Sequence, residues 1–127
     1  MDVKAAYLCS KLEKNVRMYI KCPQGYKLAP GKAARLLMGL YGTKQGGELW
    51  GDLLTKTLKK LNFTQSLADP SFYLRRKGDE WCLVSCIVDD FVITGTSTAV
   101  AEFKQEITKE WEMTDEGILF WLSLIHI

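Results

Sequence analysis

No run in this 127-residue chain approaches the ~18–20 consecutive apolar residues that a membrane-spanning helix needs, although 47% of its residues are apolar. That length and apolar fraction suffice for one modest globular domain with a single core. The N-terminus lacks the pattern of a secretory signal. No Cys-x-x-Cys pair occurs: Cys9, Cys22, Cys82 and Cys86 are dispersed, which argues against a zinc site or a disulfide framework. Cys82 and Cys86 fall on the same face of one strand-like run, a placement that suits buried thiols. A reducing, intracellular setting is the simpler inference, with no membrane partner. The lone histidine, His126, is assigned no chemistry. Repeats, low-complexity tracts and long linkers are absent, so one domain is expected.

Charge is scarce in net terms but unevenly placed. The formal net charge is +2, yet Met1–Thr64 holds twelve Lys/Arg against four Asp/Glu, and the remainder five against eleven. The basic half also carries Tyr7, Tyr19, Tyr26, Tyr41 and Trp50, a mixture able to track a phosphate backbone. A solvated lysine-rich surface explains the same composition.

Several elements are legible. Asp2–Leu8 reads as a strand, and Cys22–Tyr26 and Ala29–Gly31 are turn-rich and bracket a hairpin or loop. Gly46-Gly47 punctuates the entry to a helix from about Glu48 to Leu61, with Leu49, Leu53, Leu54, Leu58 and Leu61 at helical spacing. Asp69-Pro70 is a turn before a strand at 71–76. Lys77-Gly78-Asp79 then turns into a strand at 81–88, which pairs with Phe91–Thr94. A second amphipathic helix spans about Ala99–Trp111, with Ser97 or Thr98 as N-cap and Phe103, Ile107 and Trp111 recurring every four residues. The expected class is α+β, an antiparallel sheet with helices packed on one face.

Asp89-Asp90, at the tip of that β-rich hairpin, is the most informative feature. Two carboxylates ~4 Å apart repel by about 4 kcal/mol at an effective dielectric near 20. A hairpin that keeps both is explained by a hard divalent cation between them, Mg²⁺ fitting best. Asp is also a favoured turn residue, so a solvated turn accounts for the pair alone. A third aspartate, Asp2, heads a separate strand. Two-metal phosphoryl transfer needs carboxylates converging from separate strands on ions ~3.5–4 Å apart.

These segments, in order, resemble the reverse transcriptase of copia-type long-terminal-repeat retrotransposons. Met1-Asp-Val-Lys-Ala-Ala-Tyr-Leu8 is similar to the first catalytic-aspartate motif, and Cys22-Pro-Gln-Gly-Tyr26 to the Pro-x-Gly-aromatic segment. Gly39-Leu-Tyr-Gly-Thr-Lys-Gln45, with Trp50 five residues on, resembles the most recognisable signature. Ala68-Asp-Pro-Ser71 and Ile87-Val-Asp-Asp90 with Thr94-Gly95 complete a series running from Met1 to about Trp121.

The resemblance implies a polymerase palm-like sheet and RNA-directed DNA synthesis. It implies two Mg²⁺ ions, with Mn²⁺ as a substitute, on Asp2, Asp89, Asp90 and the Val3 backbone carbonyl. Deoxynucleoside triphosphates would meet Tyr7, Lys44, Gln45 and Val88, with Tyr7 as a steric gate against a ribose 2′-hydroxyl. An RNA or DNA template with its annealed primer would meet Lys4, Tyr41 and Ile87. Read without the resemblance, Tyr7 is a core aromatic and Lys44-Gln45 a polar helix start. The wider expectation is a retrotransposon polyprotein with integrase, protease and ribonuclease H, in a cytoplasmic virus-like particle.

Two departures stand out. Ile87-Val88 replaces the usual Tyr-Val before the doublet, removing a hydroxyl near the primer end. Gly46-Gly47-Glu48 replaces a small residue, Pro and Arg, exchanging a cation for an anion. The expected unit is a palm fragment over residues 1–121, incomplete at both ends and inactive or nearly so alone. Leu122–Ile127 matches a translated sequencing adapter and is read as a non-native tail. A degenerate relic that at most binds nucleic acid, and another Mg²⁺-dependent phosphotransferase or nuclease, are the alternatives.

Overall fold

The run Glu80–Gly95 is dense in β-branched and aromatic residues, and it folds back on itself through two turn residues as an antiparallel ladder. The computed structural model describes residues 1–118. In chain order these form β1 (Asp2–Val3), a 3-10 turn (Ala6–Cys9), β2 (Tyr19–Ile20), β3 (Ala34–Arg35) and α1 (Lys44–Lys60). There follow β4 (Thr64–Gln65), β5 (Phe72–Lys77), β6 (Glu80–Ile87), β7 (Asp90–Gly95), α2 (Ser97–Glu110) and β8 (Met113–Thr114). The described residues form two compact parts, one from residues 1–6 and 54–118, the other from residues 7–53.

The first part is built on a six-stranded sheet of order β4-β5-β6-β7-β1-β8, antiparallel at every pairing. Register sets its inner face, with Tyr73 opposite Val84, Arg75 opposite Cys82, and Cys86 opposite Phe91. All six are buried, as is Val3. Against this face α2 presents Ala99, Phe103 and Ile107, and in the C-terminal half of α1 Leu54 and Leu58 are buried. The Phe63 and Phe103 rings meet at 4.8 Å, and Thr55 shares a 2.8 Å hydrogen bond with the Tyr73 hydroxyl. The other face leaves Phe72, Leu74, Trp81 and Ile87 partly exposed. The architecture is α+β with helices on one sheet face, as the hydrophobic periodicities require. The thiols of Cys82 and Cys86 are free, and burial pushes them up to about 11 and about 12.

Three local expectations are corrected. Asp2–Leu8 is not one strand: β1 stops at Val3, Ala5 turns with φ +53°, and a 3-10 turn follows. Burial at Val3, Ala6 and Ser10 follows a three-to-four-residue spacing that overrides strand alternation. Helix α1 starts at Lys44 rather than Glu48, because Thr43 caps it: the Gly46 N–H donates to Thr43 Oγ1 at 3.1 Å. That bond, and the packing at Gly46 described below, outweigh the entropic cost of glycine in a first turn. The N-cap of α2 is Thr96, whose hydroxyl donates to Glu80 while its oxygen accepts from no helix N–H. The proposed tail at 122–127 lies outside the described residues.

Helix α1 ends in a Schellman motif. Asn62 takes φ +65°, its N–H donates to the Lys59 carbonyl at 3.0 Å, and the Phe63 N–H donates to that of Leu58 at 2.9 Å. This reversal delivers Phe63 into the core beside Arg75, which lies 4.8 Å from the centroid of its ring.

Arg75 is the one cation buried in this part among the described residues, at 3% exposure. It donates to Glu106 at 2.5 Å and to the Leu61 carbonyl at 3.2 Å, with Glu102 at 3.6 Å. One guanidinium thus joins β5, the end of α1 and α2. Removing it leaves Glu106 facing an apolar gap, so Arg75→Ala is expected to cost about 3 kcal/mol in urea unfolding. A loss within 0.5 kcal/mol would show that the pair contributes little.

Candidate active site

The β6–β7 hairpin closes on the pair Ile87–Asp90, so its two turn residues are Val88 and Asp89. Asp89 therefore occupies the tip, while Asp90 is the first residue of β7. Val88 has φ +58°, the left-handed value that the first position of a type II′ turn requires and that glycine normally supplies. A β-branched residue there costs about 1–3 kcal/mol, and such strain clusters at functional sites.

Strand β1 lies beside β7, with Asp2 opposite Asp90. The Val3 N–H donates to the Asp89 carbonyl at 2.9 Å, and the Phe91 N–H to the Met1 carbonyl at 2.7 Å. Those bonds flank the aspartates and make Asp2–Asp90 a non-hydrogen-bonded pair, the arrangement in which facing side chains come closest. Both stand on the helix-free face, together with Ile87, which is 38% exposed. On the other side of β1, Asp2 pairs with Thr114 of β8.

Electrostatics report the same convergence. The Asp2 carboxyl is raised above its ordinary value by partial burial, then by Asp89, Asp90 and Glu116, with the N-terminal ammonium acting oppositely. Glu116 was not anticipated, since it follows a two-residue strand with no sequence signature. Hard carboxylate oxygens that repel one another fit a divalent cation by donor chemistry. Among the described residues, however, no three His, Cys, Asp or Glu side chains form a ready-made metal cluster. Lys4 is exposed and ion-paired with Glu112 at 2.5 Å.

The remaining sequence-derived candidates lie in the part formed by residues 7–53. Tyr7 meets Tyr41 edge-on, with ring centroids 4.2 Å apart. Lys44 and Gln45 open α1 and are exposed, Lys44 standing 3.9 Å from Glu48. Glycine at position 46 follows from packing: an added Cβ would lie 2.6 Å from the Leu40 carbonyl oxygen and 2.8 Å from Thr43 Oγ1. At Gly47 an added Cβ would meet only the Tyr7 ring, at 3.9 Å.

Two predictions follow from this geometry. Gly46→Ala is expected to destabilise by about 1–3 kcal/mol through overpacking, and Gly47→Ala to gain about 0.5–1 kcal/mol of helix propensity, both read by urea unfolding. Equal effects at the two positions would contradict the packing. Because the raised Asp2 carboxyl binds its proton more tightly in the folded state, stability from this group is greatest at low pH. It is lost as pH rises from the ordinary carboxylate value through the folded one. In chelator, Asp2→Asn should therefore raise the thermal midpoint at pH 7 by about 1–3 °C, a gain that closes below about pH 4. No gain at pH 7 would show that neither burial nor the neighbouring acids penalise this charge.

Among the described residues, no helix is long and apolar enough to cross a membrane. Residues 1–125 match the family described as reverse transcriptase (RNA-dependent DNA polymerase). A putative transposon Ty5-1 protein of Saccharomyces cerevisiae is 32% identical over 92% of this chain, which spans 38% of that protein. The retrovirus-related Pol polyprotein from transposon TNT 1-94 of Nicotiana tabacum is 29% identical over 92% of the chain, which covers 9% of its length. That from transposon RE2 of Arabidopsis thaliana is 31% identical over 79% of the chain and is covered over 7% of its length. No solved structure matches. With a family match along nearly its full length and relatives of this kind, the chain belongs to the reverse transcriptase (RNA-dependent DNA polymerase) family, in its copia-type retrotransposon branch.

Proposed function

We propose that this chain contributes the catalytic carboxylates of an RNA-directed DNA polymerase that transfers nucleotides from deoxynucleoside triphosphates to a primer 3′-hydroxyl. The observation that carries the reading is the direct cross-strand pairing of Asp2 with Asp90 beside a strained turn bearing Asp89. Asp2, Asp89, Asp90 and the Val3 carbonyl would hold two Mg²⁺ ions, Mn²⁺ being an alternative. When bound, such ions lower the pKa of the attacking hydroxyl and neutralise charge on the triphosphate and departing pyrophosphate.

The chain's own residues perform the positioning. Ile87, on the same face as Asp90, offers an apolar seat for the primer end. Val88 holds the turn that sets Asp89. Tyr7, braced by Tyr41 and facing Gly47, is a rigid aromatic wall suited to exclude a ribose 2′-hydroxyl. Lys44 and Gln45 lie on the exposed first turn of α1, where a triphosphate or templating base would be met. Lys4 would exchange Glu112 for a backbone phosphate, a contact weakened by salt.

Because the chain spans a minor part of its relatives, this activity belongs to a longer protein of the Pol type. In that setting integrase, protease and ribonuclease H are the expected neighbours, and a virus-like particle the expected location.

In a polymerase-competent protein carrying this segment, Asp89→Asn is expected to lower primer extension by roughly 10³-fold, with an unchanged circular dichroism spectrum. That corresponds to losing several kcal/mol of transition-state stabilisation. Retained synthesis would refute the assignment. Cutting of plasmid DNA without triphosphates would point instead to a nuclease using the same carboxylates.

A further inference from the structure

The segment from Lys14 to Gly47 carries seven Lys/Arg and no carboxylate. Part of it forms a two-stranded antiparallel ribbon, with Tyr19 opposite Arg35 and Ile20 opposite Ala34. The ladder is prolonged by the Leu36 N–H donating to the Met18 carbonyl at 2.9 Å, and by a bridge between Lys11 and Met38. From Lys11 to Met38 no residue is buried. A two-stranded ribbon without a core is marginal in water, so this one is unlike the sheet behind the aspartates, whose inner face is packed.

Its exposed face has a definite chemistry. Tyr19 is 57% exposed and directly opposite Arg35. Strand alternation places Arg17 and Lys21 on the side of Tyr19, and both are exposed. Among the described residues none of Arg17, Lys21 or Arg35 is ion-paired. Arg35 reaches only the Lys14 and Val16 carbonyls, at 3.5 and 3.4 Å. An open depression beside the ribbon is lined by Tyr19, Lys21, Leu28 and Lys32. At the far turn Tyr26 is 77% exposed.

We propose that this face of the β2–β3 ribbon is a docking site for single-stranded nucleic acid, a base stacking on Tyr19 and neighbouring phosphates resting on Arg17, Lys21 and Arg35. An exposed ring set among cations without carboxylate partners matches a planar base on a polyanionic backbone. A duplex supplies the phosphates but not the free base face, so the single strand is the ligand. The inference deepens the polymerase reading by naming the unpaired template as the strand held. It depends on none of the aspartates.

The test is fluorescence anisotropy of the full chain with labelled 12-nucleotide RNA, in chelator and without triphosphates, across a salt series. These conditions silence the metal site, so failure here and failure of the Asp89 experiment are separable. Tyr19→Ala is expected to weaken single-strand binding about 5–100-fold, with Tyr19→Phe close to the parent and duplex RNA little affected. The triple variant Arg17→Gln, Lys21→Gln, Arg35→Gln is expected to reduce the slope of log affinity against log salt by about 2. Unchanged affinity in Tyr19→Ala, an unchanged slope in the triple variant, or equal weakening of duplex and single strand would each overturn the proposal.

Discussion

One pairing organises the face that carries the aspartates: the non-hydrogen-bonded juxtaposition of Asp2 and Asp90 between β1 and β7. Antiparallel register permits only two kinds of facing pair, and this kind brings side chains closest. Slipping β1 by one residue would turn Asp2 toward the core and Val3 toward solvent. The burial of Val3, at 1% exposure, is therefore what fixes Asp2 on the outer face. A hydrophobic contact on one side of the sheet sets the position of a charge on the other.

The site is costly for the fold that carries it. Partial burial, and then the neighbouring acids, raise the Asp2 carboxyl, and Val88 holds a backbone angle suited to glycine. Both features oppose folding, and stability comes from elsewhere in the same part. Its inner face is closed by Phe103, Ile107 and Leu58, and cross-linked by Arg75 between a strand and both helices. Strain at the tip with rigid packing beneath is the division expected where a constellation of charges must be held in place.

The part formed by residues 7–53 follows other rules. Here glycine packs against backbone, and Gly39 and Gly46 leave no room for a side chain. The start of α1 is set by the Thr43 cap rather than by helix propensity. Beyond this packed turn, the ribbon keeps Tyr19 and Arg35 exposed, and among the described residues its cations have no acidic partners. Such a surface is selected by a ligand more readily than by a core.

Much of this was legible in the chain alone. The stripe of Phe103 and Ile107, the leucines at 54 and 58, and the β-rich hairpin around the doublet specify two helices on an antiparallel sheet, because burial follows periodicity. The ordered motifs from Asp2 to Gly95 carry the family. The sequence did not disclose where β1 ends, that α1 runs through Gly46-Gly47, or that Glu116 joins the field around Asp2. Short strands lack a period long enough to read, and a glycine pair reads as a break unless its neighbours are known. Local pattern marked Phe103, Ile107, Leu54 and Leu58 for burial. Only tertiary register decided which charges face each other, because that depends on contacts between segments nearly ninety residues apart.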